Sequence, residues 1–199
     1  MEVIPRFAGA AKYLQEVKQM LDRLQPQVET FSCALHDAFL GGRTVFLVGN
    51  GGSASNASHF GQDLNKGTLA NLEATKRFRA IALTDNVSFI TALANDHGYD
   101  CIFEQQLRTL GRPGDVLVAI SGSGNSPNIL RAVEYANRAE IKTLVVTGFD
   151  GGRLKQIASA GVHVQSNDMG LVEAVHSVLF HLTMTDLKCR LARDAVQSG

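Results

Sequence analysis

Five short runs of this chain are apolar almost without interruption: "TVFLVG" at 44–49, "FRAIALT" at 78–84, "DVLVAIS" at 115–121, "KTLVVTG" at 142–148 and "GVHVQS" at 161–166. A strand with one wet face alternates apolar and polar residues. A run that is apolar at nearly every position needs cover on both faces, which is the condition of a buried strand in a parallel sheet. Parallel neighbours cannot be joined by tight turns. The runs are in fact separated by stretches of helical pattern, at about 53–65, 87–109 with a break near Gly98, 126–139 and 152–159. This alternation predicts an α/β fold, a doubly wound five-stranded parallel sheet flanked by helices. Two N-terminal helices should precede it, about 6–23 and 26–41, the second opened by Pro26 and stopped by Gly41-Gly42. A long C-terminal helix should run from about 170 toward 194. At 199 residues one domain is expected, with a helical segment over 1–42 and an α/β core over 43–199.

Lys and Arg number 19 and Asp and Glu number 19, so the chain carries no electrostatic footprint for nucleic acid or an anionic membrane. No apolar run approaches the ~18 residues of a spanning helix, and "MEVIPRFAGAAKYLQEV" lacks a basic segment followed by an apolar core. Cys33, Cys101 and Cys189 form an odd, scattered set without metal-ligand spacing, which reads as buried or incidental thiols in a reducing cytoplasm.

In a sheet of this type ligands bind beyond the carboxyl ends of the strands. Two of those ends carry unusual sequence. "GNGGSAS" at 49–55 follows the first strand and opens a helix, offering Asn50, Gly51, Gly52 and Ser53. "SGSGNSPN" at 121–128 follows the third strand and opens another, offering Ser121, Gly122, Ser123 and Ser126. Glycines let backbone N–H groups approach an anion, a helix N-terminus adds a favourable dipole, and hydroxyls supply neutral donors. That chemistry suits a phosphate. Read blandly, each loop is a strand-to-helix turn with Ser53 and Ser126 as N-caps. The spacing is wrong for a dinucleotide fingerprint, and the first loop lacks the G-K-[ST] of a P-loop.

The pair "GNGGSA" and "ISGSGNSPN", with "AIALTDN", "ANDHGYDCIF" and "GDVLVAIS" around them, resembles the sugar isomerase (SIS) family, and within it the sedoheptulose 7-phosphate (phosphoheptose) isomerases. The likeness runs from about residue 40 to 185. It implies a five-stranded parallel sheet, a cytoplasmic homotetramer with active sites at subunit interfaces, and a phosphorylated sugar held by Ser121, Ser123 and Ser126 with help from Asn50 and Ser53. It also implies an aldose–ketose isomerisation through an enediolate.

His59 and Asp63 stand at i and i+4 on the helix after the first loop and so share a face, a geometry for a shared metal or a coupled acid–base pair. Glu173, His176 and His181 lie on the C-terminal helix. Glu173, in an apolar context, needs a partner if buried; His176 alone reads as a packing residue. By resemblance, the family's metal set falls on His59, Asp63, Glu173 and His181, with Asp63 and His181 as the acid–base pair. Two histidines and two carboxylates suit Zn²⁺ or another divalent cation. The chain departs from the family pattern at two of these positions. Asp63 replaces a glutamate, shortening the carboxylate's reach by about 1.5 Å, and Glu173 replaces a glutamine, adding a charge. Asp85, at the end of the second strand, is expected near the sugar hydroxyls, with Thr84 beside it. Two alternatives stay open. A non-catalytic regulator of the family would keep the serine loop and lose the acid–base set, and an isomerase of a different phosphosugar would keep both.

Overall fold

A computed structural model of the chain describes residues 9–197. Five strands form one sheet, all neighbours parallel: β1 (Thr44–Val48), β2 (Arg79–Ala82), β3 (Val116–Ser121), β4 (Lys142–Thr147) and β5 (Ala160–His163), in the spatial order β2-β1-β3-β4-β5. The helices are α1 (Ala10–Leu40), α2 (Gly52–Gln62), α3 (Val87–His97), α4 (Ile102–Leu110), α5 (Pro127–Arg138), the short α6 (Leu154–Ile157) and α7 (Met169–Gln197).

Side-chain alternation explains the continuous apolar runs. Val45, Leu47, Val116, Val118, Ile120, Leu144 and Val146 join one core with residues of α1, α2 and α7. Phe46, Val48, Leu117, Ala119 and Val145 join a second core with α4 and α5. Successive Cβ atoms point to opposite faces, and each face meets helices, so β1 and β3 are buried at every position. The two outer strands differ from the sequence expectation. In β2, Arg79 and Ile81 are exposed; in β5, Val162 alone is fully buried. A strand at the sheet edge has a neighbour on one side only. The edge of β2 is blunted by a side chain, because Asn65 Nδ2 donates to the Ala80 carbonyl (2.7 Å) and Asn65 Oδ1 accepts the Ala80 N–H (2.8 Å).

The two expected N-terminal helices are one. α1 continues through Pro26; residues 6–8 of the expected first helix lie outside the described residues. Proline lacks the N–H that would reach the Asp22 carbonyl. Both Asp22 and Pro26 lie on the solvent-exposed side of the helix, and the buried stripe Leu24, Val28, Phe31, Leu35 and Ala38 carries the helix across. α7 packs along α1 with Val172, Val175, Leu179, Phe180 and Leu187 inside. Among the described residues no helix is long and apolar enough to cross a membrane.

The strand order matters most for the site. The chain steps from β1 outward to β2, then back across β1 to β3. The crevice between the carboxyl ends of β1 and β3 is therefore the topological switch point, where open α/β sheets bind ligands.

Candidate active site

Both unusual loops open into that crevice. Asn50, Ser53, Ser121, Gly122, Ser123 and Ser126 line a cavity of about 170 Å³ together with Ile120, Met169 and Glu173. The helices α2 and α5 start at its wall, which turns the positive ends of two helix dipoles toward it. Gly51 adopts φ 55°, ψ −123°, backbone that L side chains rarely take. At Gly52 a Cβ would lie 2.7 Å from Glu173 Cδ, so the absent side chain is what admits the Glu173 carboxyl group.

The serines are not spent on capping. Ser126 stands at the N-cap position of α5 but makes no cap hydrogen bond; its hydroxyl faces that of Ser121 at 3.3 Å. The N-cap of α2 is Gly51, and Ser53 lies inside the helix. Ser123 Oγ accepts the Asn125 N–H at 3.3 Å. The lining thus offers several hydroxyls and two helix N-termini with no lysine or arginine, and one carboxylate, Glu173, which has no hydrogen-bond or ion-pair partner among the described residues. The side chain of Asn50 is largely engaged. Its Nδ2 donates to Asn128 Oδ1 (2.9 Å), and its Oδ1 accepts from Asn128 Nδ2 (2.9 Å) and from the Tyr99 hydroxyl (3.0 Å).

From this cavity α2 and α7 run side by side in the same direction. Gly52 meets Glu173, Asn56 Oδ1 accepts from the Ser177 hydroxyl (2.9 Å), Asp63 faces His181, and Gly67 packs on Met184. At the far end of the seam Asp63 is 9 % exposed. Its Oδ2 lies 3.7 Å from His59 Nε2 and 3.5 Å from His181 Nδ1, while the imidazoles, 5.0 Å apart and inclined at 76°, remain about half exposed. Even with aspartate's shorter reach, one oxygen faces both rings. Here α2 widens into a π-helical turn over Asp63–Gly67, a distortion common at functional sites and invisible in the residue pattern.

His59, Asp63 and His181 each offer a ligand atom, all within 4.8 Å of one another. Ligand atoms around an ion at ~2.0–2.1 Å in tetrahedral geometry stand about 3.3 Å apart, close to the two spacings to Asp63. The donor set, two imidazoles and a carboxylate with one side open, fits a catalytic divalent cation. Glu173 is not part of this group. It points into the serine-lined cavity, eight residues and about 12 Å of helix rise from His181.

Asp85 is not brought to that cavity. It accepts from the hydroxyls of Ser58 and Thr84 and lines a separate cleft with Gln62, Asn65 and Lys66. Asn86 caps α3 by accepting the Phe89 N–H, and Asn95 donates to Asp96 (2.7 Å). Lys76 and Arg77 donate to the carbonyls of Leu40 and Ala74 and hold their loop down. His176 is completely buried, and burial pushes its pKa down to about 4. As a neutral ring it donates from Nε2 to the Thr147 carbonyl (3.3 Å), pinning α7 to the end of β4. Residue-pattern reasoning missed the parts played by Asn128, Tyr99, Asn56 and Ser177. Asn128 is the last residue of the quoted serine-rich motif, and that position was its signal.

A family profile described as "SIS domain" matches residues 11–148. The chain is 37% identical over 174 residues to a probable phosphoheptose isomerase of Thermoplasma acidophilum, covering 87% of this chain and 94% of the relative. It is 40% identical over 164 residues to the phosphoheptose isomerase of Shewanella denitrificans, covering 80% and 82%. The structure of a phosphoheptose isomerase from Neisseria gonorrhoeae superposes with a TM-score of 0.80 at 30% identity, over 92% of this chain and 95% of that one.

Proposed function

The chain belongs to the SIS domain family, and on that premise we propose that it is an aldose–ketose isomerase of a phosphorylated sugar, with sedoheptulose 7-phosphate converted to a heptose 7-phosphate. The observation that carries this reading is the two-ended seam, with a phosphate-type pocket at one end and a His–Asp–His cluster at the other, about 12 Å of helix apart. An extended seven-carbon chain, at roughly 1.3 Å per bond, spans about 8 Å, and the phosphate ester adds to that length.

In this reading Ser53, Ser121, Ser123 and Ser126 hold the phosphate and the carbon chain lies along the α2–α7 seam toward Asp63. Asp63 takes the proton from C1 of the ketose, and the electron pair moves through the C1–C2 bond onto the C2 oxygen. His181 gives that oxygen a proton. His181 then takes the proton of the C1 hydroxyl as Asp63 gives its proton to C2, so the sugar and the two side chains gain and lose nothing overall. The half-exposed His181 can exchange protons with water between turnovers. His59, Asp63 and His181 would hold a divalent cation, Zn²⁺ being our candidate, which when bound supplies stabilisation of the negative charge on the enediolate oxygens.

The assembly we infer is a homotetramer with the site completed across an interface. Leu182 and Val178 are exposed beside His181. Between α1 and α7 a cleft of about 650 Å³ is lined by Leu21, Leu24, Val28, Leu179 and Leu182 and by polar groups, Asp22, Glu29, Asp186 and Arg190 among them. Exposed apolar side chains such as Leu182 and Val178 beside a mixed cleft favour burial against a sister subunit. Light scattering that returns a monomer at micromolar concentration would contradict it. The three cysteines are free thiols, which fits a cytoplasmic enzyme.

The direct test is a panel of phosphosugars of five to eight carbons, assayed with and without EDTA. Turnover of the seven-carbon substrate supports the reading, and turnover of none overturns it. Full activity in protein shown metal-free by elemental analysis would retain Asp63 and His181 as the acid–base pair and remove the cation.

A further inference from the structure

Sheet hydrogen bonds between β1 and β3 end with the pair Val48 and Ala119. Beyond that point the two loops that form the phosphate pocket leave the sheet, and their spacing has to be set by something else. The hydrogen-bonded link between them, among the described residues, is the reciprocal amide pair of Asn50 and Asn128. Asn128 is 2 % exposed in the first turn of α5, where its Oδ1 also accepts the Ile129 N–H at 3.0 Å. All of its side-chain geometry is therefore fixed by α5 on one side and by Asn50 on the other.

A third element is fastened to the same point. The Tyr99 hydroxyl donates to Asn50 Oδ1, and the adjacent Asp100 takes an ion pair from Arg131 (2.5 Å), which also binds Glu104 (2.6 Å). Arg131 lies one turn beyond Asn128 on α5. The first two turns of α5 thus hold the first loop through Asn128 and the Tyr99–Asp100 segment through Arg131.

We propose that Asn128 is a positioning residue for the phosphate. By clamping Asn50 it fixes the separation between Ser53 on one loop and Ser121, Ser123 and Ser126 on the other, and Tyr99 steadies the clamp from its second side. The proposal rests on the phosphate reading of this pocket. An amide is required at both positions, because each side chain is at once donor and acceptor toward the other. The clamp lies at the binding end of the seam, away from Asp63 and His181, so its loss acts on affinity and spares the chemical step.

The experiment measures KM and kcat with the phosphosugar, the inhibition constant of inorganic phosphate, and the melting temperature, for Asn128→Ala, Asn50→Ala, the double variant, Tyr99→Phe and Ser123→Ala. Asn128→Ala is expected to raise KM and the phosphate inhibition constant about tenfold while kcat changes less than about threefold. The double variant should be no worse than the weaker single one, since either change opens the same clamp. Tyr99→Phe, which removes one hydroxyl from an exposed ring, should weaken phosphate about threefold at an unchanged melting temperature. A folded Asn128→Ala protein with phosphate affinity within twofold of wild type would overturn the proposal, as would fully additive effects of the two alanine changes. If Asn128→Ala does not fold, unchanged phosphate affinity in both Asn50→Ala and Tyr99→Phe overturns it. Ser123→Ala separates the two levels. An unchanged phosphate constant there removes the phosphate reading and the clamp's role with it, whereas a weakened Ser123→Ala beside an unchanged Asn128→Ala removes the clamp alone.

Discussion

The two ends of the α2–α7 seam are built by different means. At the switch point, topology does most of the work. Buried parallel strands deliver two loops to one crevice, two helices begin there, and a closed amide pair ties the loops together. At the far end, three side chains from two helices meet at 3.5 and 3.7 Å, beyond ordinary hydrogen-bond distance, with both imidazoles half open to solvent. At the binding end the serines, Asn50 and Glu173 of a single chain line one cavity. At the chemical end the donor atoms of His59, Asp63 and His181 lie within 4.8 Å of one another, with both imidazoles half exposed.

That contrast is tested most severely at the chemical end. His181→Ala is expected to lower kcat by about 10²–10⁴-fold while phosphosugar affinity, read by inhibition or calorimetry, changes less than about threefold. Loss of affinity of the same size would mean that the two ends are not separable.

Both ends hang on α7, and His176 is its buried anchor. Its folded pKa of about 4 lies below the ordinary 6.5, so the unfolded chain binds the extra proton first. The sign follows: stability is whole above about pH 6.5 and is lost progressively as pH falls toward 4, by roughly 3 kcal/mol at 1.36 kcal/mol per unit. Denaturant midpoints should show this slope, and His176→Gln should flatten it. An unchanged slope would place the acid sensitivity elsewhere.

Smaller effects sharpen the binding end. Ser123→Ala should raise KM about tenfold with kcat nearly constant, the signature of a contact held uniformly through the reaction. Glu173→Gln should do the opposite. If the cavity takes the phosphate as proposed, removing this carboxylate should lower KM severalfold, on the order of 1 kcal/mol of repulsion in a well-screened site. If Glu173 instead serves a cation at the far end, the same change would raise KM or lower kcat.

How much of this was legible follows the same division. The continuous apolar runs specified both-face cover of the central strands, and glycine and serine after "TVFLV" and "VLVAI" marked the two loops that share one cavity, because those signals are local and periodic. The order β2-β1-β3-β4-β5 was not legible, since periodicity says nothing about which strands are neighbours. Pro26 read as a helix start because its exposure, which makes the missing N–H harmless, is a tertiary fact. Glu173 was grouped with His59, Asp63 and His181 by resemblance; in the fold its carboxylate leans over Gly52, a position that depends on how α7 packs against α2. His59 and Asp63 declared themselves by i, i+4 spacing, whereas His181 needed the helix pairing.

The most direct measurement of the central claim is solvent exchange by NMR. Incubated in D₂O with the protein, sedoheptulose 7-phosphate should acquire deuterium at C1 and its aldose product deuterium at C2. Unphosphorylated sedoheptulose should exchange far more slowly, and the His181→Ala protein should bind the phosphosugar without exchanging it. Exchange of neither sugar, or equal exchange of both, would contradict an isomerase whose phosphate pocket and proton-transfer cluster occupy opposite ends of one helix seam.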